Sequence, residues 1–466
     1  MLKSAYRILV ELIILALLVP IGTASAQEAS PQEPVYVVQT GDSLWGIALK
    51  FGVSVDELSA VNGITDPNQL TVGTELVIPG LKGVSGRLVT SEVPFGENLE
   101  SLSHKYQISQ SDLAKINRLV SPVQVYRGAN LILPESSAGD SQLGRGTVHK
   151  DTSMLEMAVA DGANPWQIIS LNAMSNPWQF LGGDTLAMPT GNGSGPGALP
   201  DVIQEIDVNP ERIEQGSTVV LHYQSDQPVN MQGFLGDQEL HFLSDGQDNY
   251  ALQGIYALQL PGFYPLTLNG TLEDGSPFQF TQWVYIGDAG YPFDPSLTVD
   301  PSVVDPAVTE PENEQVAAIT APITPEKMWE GQFTAPVAPE FADCFPSRFG
   351  NRRSYNGSAY DYFHSGLDFC GAVGNDVIAP ARGKVVFAGP LTVRGNTTII
   401  DHGWGVYTIY MHQSEFLVKV GDIVEAGQRI GLVGATGRVT GPHLHWEVWA
   451  GGVQVDPIYW LQQPYP

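Results

Sequence analysis

Five residues recur twice at a spacing of 55 in the first half of the chain. Asn62, Pro67, Gly73, Leu76 and Pro79 return as Asn117, Pro122, Gly128, Leu131 and Pro134, and again as Asn172, Pro177, Gly183, Leu186 and Pro189. A pattern held in register through three copies restricts this half to an array of small, similar units of about 45 residues joined by short linkers. In the first copy Tyr36-Val37-Val38 predicts a strand, and Gly41-Asp42-Ser43 a turn that caps a helix from Leu44 to Phe51. Ser54 caps a second helix over Val55 to Asn62, and Glu75 to Ile78 is a returning strand. The expected order is β-α-α-β, with units at 35–79, 87–134 and 146–189. The third is degenerate: Asp161 stands where Phe51 and Tyr106 stand, and its turn lacks the glycine.

The remaining chain divides by composition. Residues 1–26 open with Lys3 and Arg7, continue through the apolar run Leu12 to Ile21 and end in Ala24-Ser25-Ala26, the layout of a cleavable export signal; left uncleaved, the same run would be a membrane anchor. Thr190 to Gly197 is Gly-rich and reads as a flexible linker. From 201 to 288, short runs rich in Val, Leu, Tyr and Phe alternate with turn residues about every ten positions, which predicts an immunoglobulin-like β-sandwich spacer. Residues 291–340 are rich in proline and are expected to form an extended, largely unstructured tether. With 22 Lys+Arg against 50 Asp+Glu, the net charge of -28 repels a phosphate backbone and argues against nucleic acid as a partner. Nearly all of that excess falls before Phe341.

The motif Val38-Gln39-Thr40-Gly41-Asp42-Ser43-Leu44-Trp45, followed by Leu58, Asn62 and Leu76-Val77-Ile78-Pro79, resembles a LysM domain. The resemblance implies binding of N-acetylglucosamine-containing glycans, with Gly41, Asp42, Ser43 and Asn62 as the glycan-facing residues of the first copy.

Chemistry concentrates near the C-terminus, where His364, Asp368, His412, His443 and His445 stand among short strands and turns. Imidazole and carboxylate are ligands that zinc accepts, and a catalytic zinc typically takes three protein ligands plus water. The alternation of Leu444-His445-Trp446-Glu447-Val448-Trp449 predicts a strand that turns His443 and His445 to one face. Glu447 falls on that face too, either supporting a ligand or serving the fold. His364 and Asp368 are four apart, and Gly366 favours a strand-loop arrangement over a helix. His402 is assigned to packing. Gly421, Gly427, Gly431 and Gly434 are assigned to hairpin turns, since no Lys or helix follows them as in a phosphate loop. Cys344 and Cys370, the only cysteines, are permitted to form a disulfide in an exported chain, and Cys370 is an alternative metal ligand.

Phe349-Gly350-Asn351-Arg352, His364-Ser-Gly-Leu-Asp368, Tyr410-Met411-His412 and Gly441-Pro-His-Leu-His445, with the intervening glycines, resemble the lysostaphin/LytM-type M23 peptidases over 341–462. The resemblance implies a mostly antiparallel β fold, one zinc on His364, Asp368 and His445, assistance to catalysis from His412 and His443, and hydrolysis of peptide cross-links in peptidoglycan. An exported enzyme that holds wall glycan through its repeats follows. The alternative is a non-enzymatic M23-like activator of a cell-wall amidase, a class that usually lacks the zinc ligands.

Overall fold

The computed structural model describes residues 33–81, 84, 86–135, 143–191 and 193–466; the expected export signal lies outside them. The described residues fall into two compact units, the first ending at Leu88 and the second beginning at Val89. Among the described residues no helix is long and apolar enough to cross a membrane.

The first unit contains β1 (Val35–Val37), α1 (Leu44–Phe51), α2 (Val55–Asn62) and β2 (Glu75–Val77). Ser43 and Ser54 cap the two helices, each accepting from a backbone N–H three residues on, and Gly52 and Gly63 end them in the left-handed region. β1 pairs antiparallel with β2, placing Tyr36 opposite Leu76. Tyr36, Leu44, Ile47, Leu58 and Ile78 form a small closed core.

The repeated asparagine has a structural explanation. Asn62 Nδ2 donates to the carbonyls of Leu58 and Val77, and Oδ1 accepts from Val77 N at 2.7 Å, so one amide ties the end of α2 to β2. Asn117 repeats this clamp with Leu113 and Ile132, and Asn172 with Ile168 and Ala187. The amide of Asn62 is thus committed to the backbone and serves the fold. Asp42 is similarly engaged: its carboxylate accepts from Tyr36 Oη and Gln39 N and faces Lys50 at 3.4 Å. The second copy reproduces that ion pair as Glu97 with Lys105 at 3.3 Å.

The β-α-α-β order recurs as β3 (Arg87–Glu92), α3 (Leu99–Lys105), α4 (Gln110–Ile116) and β4 (Asn130–Pro134), and again as β5 (Gly144–Thr147), α5 (Met154–Ala160), α6 (Pro165–Leu171) and β6 (Thr185–Met188). Next comes a two-sheet sandwich built from β7 (Ile203–Asn209), β8 (Ile213–Glu214), β9 (Thr218–Ser225), β10 (Asn230–Leu235), β11 (Gln238–Leu240), β12 (Leu243–Asp245), β13 (Asp248–Gly254), β14 (Gly262–Thr271) and β15 (Pro277–Gly287). The strand orders are β11-β10-β14-β15-β8 and β12-β13-β9-β7. Every second residue of β15 is buried through Phe278, Phe280, Gln282, Val284 and Ile286, the period that one covered face demands.

The expected tether at 291–340 is instead part of the C-terminal fold. Phe293 and Leu297 bridge in parallel to Arg352 and Tyr355, and α7 (Pro306–Thr320) follows, capped by Asp305 with Pro306 in its first turn. Trp329, Phe333 and Val337 then enter the core beside Trp460. Proline content points to an extended chain, but these apolar anchors decide the outcome: burying a side chain such as Phe333 or Val337 contributes about 1.5–3 kcal/mol.

The C-terminal fold contains β16 (Arg352–Arg353), β17 (Tyr362–Phe363), β18 (Leu367–Cys370), β19 (Asp376–Ile378), β20 (Gly383–Leu391), β21 (Gly395–Gly403), β22 (Val406–Gln413), β23 (Glu415–Phe416), β24 (Ile423–Val424), β25 (Arg429–Leu432), β26 (His443–Ala450), β27 (Val453–Val455) and α8 (Pro457–Gln462). Its main sheet runs β18-β26-β22-β21-β20-β24, and a smaller one runs β19-β25-β23. Leu444, Trp446 and Val448 fill the core on one face of β26. On the other face, Val316 of α7 packs with Ile399, Tyr407, Ile409, Met411 and Trp449. Cys344 and Cys370 are disulfide-bonded, which removes Cys370 as a metal ligand.

Candidate metal centre and active site

β26 lies between β18 and β22, so its register decides what can meet. Asp368 is directly opposite His445, and Met411 faces His445 from the other side. Paired residues share a face, and His443, His445 and Glu447 share it by period two. His364 reaches the same point from the loop before β18.

Three donor atoms converge there. His364 Nε2 lies 3.0 Å from both Asp368 Oδ1 and His445 Nδ1, and His445 Nδ1 lies 2.8 Å from Asp368 Oδ1. All three residues are buried. Ligands about 2.0–2.1 Å from a tetrahedral zinc stand roughly 3.3 Å apart, so the donor set needs only slight expansion to fit that ion. The other ring nitrogens are spoken for: His364 Nδ1–H donates to Arg348 O at 2.9 Å, and His445 Nε2–H donates to Glu447 Oε1 at 3.2 Å. Such outer contacts fix the tautomer and aim the lone pair of each ligand. Among the described residues one other group, Glu205, Asp207 and His222 on the sandwich, has comparable spacing, but it is not buried.

Glu447 is the residue that sequence reasoning left undecided. It is fully buried, accepting from Ser365 Oγ at 2.5 Å and Trp449 Nε1 at 2.7 Å as well as from His445. Its place two residues beyond His445 on the same strand face was the available signal. Ser365 carried none.

The electrostatics follow from burial. Burial raises the cost of charge on Asp368 and Glu447, but the neighbouring imidazoles outweigh it: Asp368 is held well below the ordinary carboxylate range and Glu447 at about 2. Burial alone would lower His445, yet the two carboxylates flanking it raise it to about 9. His364 is lowered by burial, with Asp368 opposing. For His412, burial and then the nearby His445 and His443 bring the value down to about 3, so its ring is neutral near pH 7.

His412 and His443 flank the donor set, with ring centroids 5.0 Å apart, and His443 Nε2 lies 3.6 Å from Asp368 Oδ1. Each donates Nδ1–H to a carbonyl at 2.8 Å, Thr436 O for His412 and Gly441 O for His443, so Nε2 is the ring nitrogen those bonds leave for chemistry. His412 has φ 61, a conformation costing a non-glycine residue of order 1–3 kcal/mol and concentrated at functional sites. His402 lies apart: it is buried against Phe333, bonded to Arg382 O and Thr408 Oγ1. Gly41 and Ser43 sit at the turn before α1, and Trp45 beside them is 67% exposed.

Residues 362–457 match the family model described as peptidase family M23, and residues 36–79 and 92–134 match the LysM domain. The chain carries an M23 peptidase domain and LysM domains. Over 95 residues it is 45% identical to the peptidoglycan DD-endopeptidase ShyA of Vibrio cholerae, covering 20% of this chain and 22% of that protein. It is 43% identical over 95 residues to the DD-carboxypeptidase/endopeptidase Mpg of Neisseria meningitidis, with the same coverage. The similarity thus spans about a fifth of the length of these relatives. Among solved structures, the catalytic domain of the antimicrobial peptidase lysostaphin from Staphylococcus simulans is 31% identical, covering 29% of this chain and 92% of that one at a TM-score of 0.21.

Proposed function

We propose that this protein is an exported zinc endopeptidase that holds peptidoglycan glycan through its LysM repeats and hydrolyses peptide cross-links of the cell wall. The observation that carries the reading is the convergence of His364 Nε2, Asp368 Oδ1 and His445 Nδ1 within about 3 Å, flanked in one cleft by two further imidazoles. The endopeptidase relatives support it. Bound to those three atoms, zinc would supply a Lewis acid that polarises the scissile carbonyl and makes a water molecule more acidic.

The chain's own groups supply the proton movements. A bare Nε2 on His412 or His443 accepts a proton from the attacking water, and the protonated ring then donates to the developing oxyanion or to the leaving amine. The Nδ1–H bonds to Thr436 and Gly441 keep both rings in the tautomer this requires. In His412 burial disfavours the charged ring, so a proton gained there is readily passed on. At the first repeat, Trp45 offers an exposed aromatic face beside Gly41 and Ser43 for a sugar ring, while Asp42 holds the turn through Gln39 N and Tyr36 Oη.

The test is release of new amino groups from purified peptidoglycan by the zinc-loaded mature chain, with and without chelator. Release that chelator and His445→Ala both abolish is expected. No release under any metal condition would replace the enzyme by a non-enzymatic activator.

A further inference from the structure

The cleft containing the metal-ligand set encloses about 230 Å³, and three arginines line it: Arg353, Arg394 and Arg438. Two are already neutralised. Arg353 Nε lies 3.3 Å from Asp294, and Arg394 Nη1 lies 2.9 Å from the buried carboxylate of Glu312 on α7, which also accepts from the Val393 and Arg394 amides. Arg438 has no carboxylate partner among the described residues. Its guanidinium lies over the ring of Tyr355, 4.6 Å from the centroid, and Nη1 donates to Val303 O at 3.2 Å. The rest of its fork, four of five N–H groups, is not used by these contacts.

The loop that presents Arg438 is firmly held. Arg438 N donates to Val393 O, Thr436 Oγ1 donates to Gln413 O, and Thr436 O accepts from His412. Gly437, at φ 75, approaches Gly395 so closely that an added Cβ would come within 2.4 Å of the Gly395 nitrogen. One short loop therefore orients His412 and carries, in the same cleft, an arginine placed by stacking and lacking a counter-charge. Guanidinium is the group best suited to planar recognition of a carboxylate.

We infer that Arg438, stacked on Tyr355, forms a subsite for a free carboxylate of the substrate peptide adjoining the scissile amide, so that the enzyme selects acidic peptides. This rests on the proposed peptidase activity, and Arg438 acts in it as a specificity-determining residue.

The experiment uses the full mature chain and two synthetic D-alanyl peptides, identical except for a free carboxylate or a carboxamide on the residue C-terminal to the scissile bond. Titration calorimetry on the metal-free chain measures binding, and zinc-loaded turnover gives KM and kcat. The wild type is expected to favour the carboxylate peptide tenfold to a hundredfold, the range for a hydrogen bond to a charged group. Arg438→Gln should bring that ratio near one by raising KM for the carboxylate peptide alone, and Arg438→Lys should restore part of it. Equal binding of the two peptides by the wild type, no binding of either, or an equal loss on both peptides in Arg438→Gln would overturn the subsite. If neither peptide is hydrolysed but the binding preference is present and depends on Arg438, the subsite stands and the peptidase reading fails.

Discussion

Replacing Glu447 by Gln isolates what the carboxylate behind His445 contributes. The side chain is fully buried and accepts from three donors, His445 Nε2, Ser365 Oγ and Trp449 Nε1. Gln keeps the volume and one acceptor oxygen but removes the charge, so His445 becomes a weaker electron donor and its ring is held less firmly. Losing such a carboxylate behind a histidine ligand typically weakens metal binding by about 10–100-fold, or about 1.4–2.7 kcal/mol. The assay is zinc competition against a chromophoric chelator at pH 7.5, with circular dichroism confirming the fold. Wild-type zinc affinity in a folded Glu447→Gln protein would refute the reasoning, since His445 would then be positioned without that contact.

The other expectations are brief. His412→Ala and His443→Ala should each retain zinc and lower kcat by about 10²–10⁴-fold, the usual span for a general acid or base, as read from amino-group release. Asn62→Ala leaves Val77 N–H without its acceptor and should destabilise the first unit by about 1–3 kcal/mol, visible as faster hydrogen exchange at Val77. Glu312→Gln removes the buried carboxylate that pairs with half-buried Arg394 and should cost about 3–5 kcal/mol, read as loss of exchange protection in residues 306–320 and at Val393. Partial burial of His222 works against its charge, but Asp248 and Asp207, one at each ring nitrogen, outweigh burial and raise its pKa above 6.5. Its stabilising contribution is thus complete below about pH 6.5 and fades as pH rises through the folded value, so the melting-temperature gap between wild type and His222→Asn should be wider at pH 5.5 than at pH 8.5.

What could be read from the sequence was what period and spacing encode. Alternation along residues 444–449 placed His443 and His445 on one strand face, and the structure adds that Asp368 lies opposite His445 by register. The repeat of 55 marked three β-α-α-β units, and each copy has those elements. Three things were hidden. An asparagine recurring in every copy is equally consistent with a ligand contact and a backbone clamp, because both need the same amide; only coordinates show Asn62 bonded to Leu58 and Val77. Proline frequency between 291 and 340 masked Trp329, Phe333 and Val337, whose burial depends on partners more than a hundred residues away, such as Trp460. Arg438 was invisible for a related reason: its lack of a counter-charge emerges only once Asp294 and Glu312 are seen beside the other two arginines.

Anomalous X-ray diffraction at the zinc edge, from crystals of the mature chain grown with one equivalent of zinc, tests the central claim directly. The account predicts a single strong peak about 2.0–2.1 Å from His364 Nε2, Asp368 Oδ1 and His445 Nδ1, with His412 and His443 outside bonding distance. A peak elsewhere, or zinc taken up by His412 or His443 in place of one of those three, would contradict it.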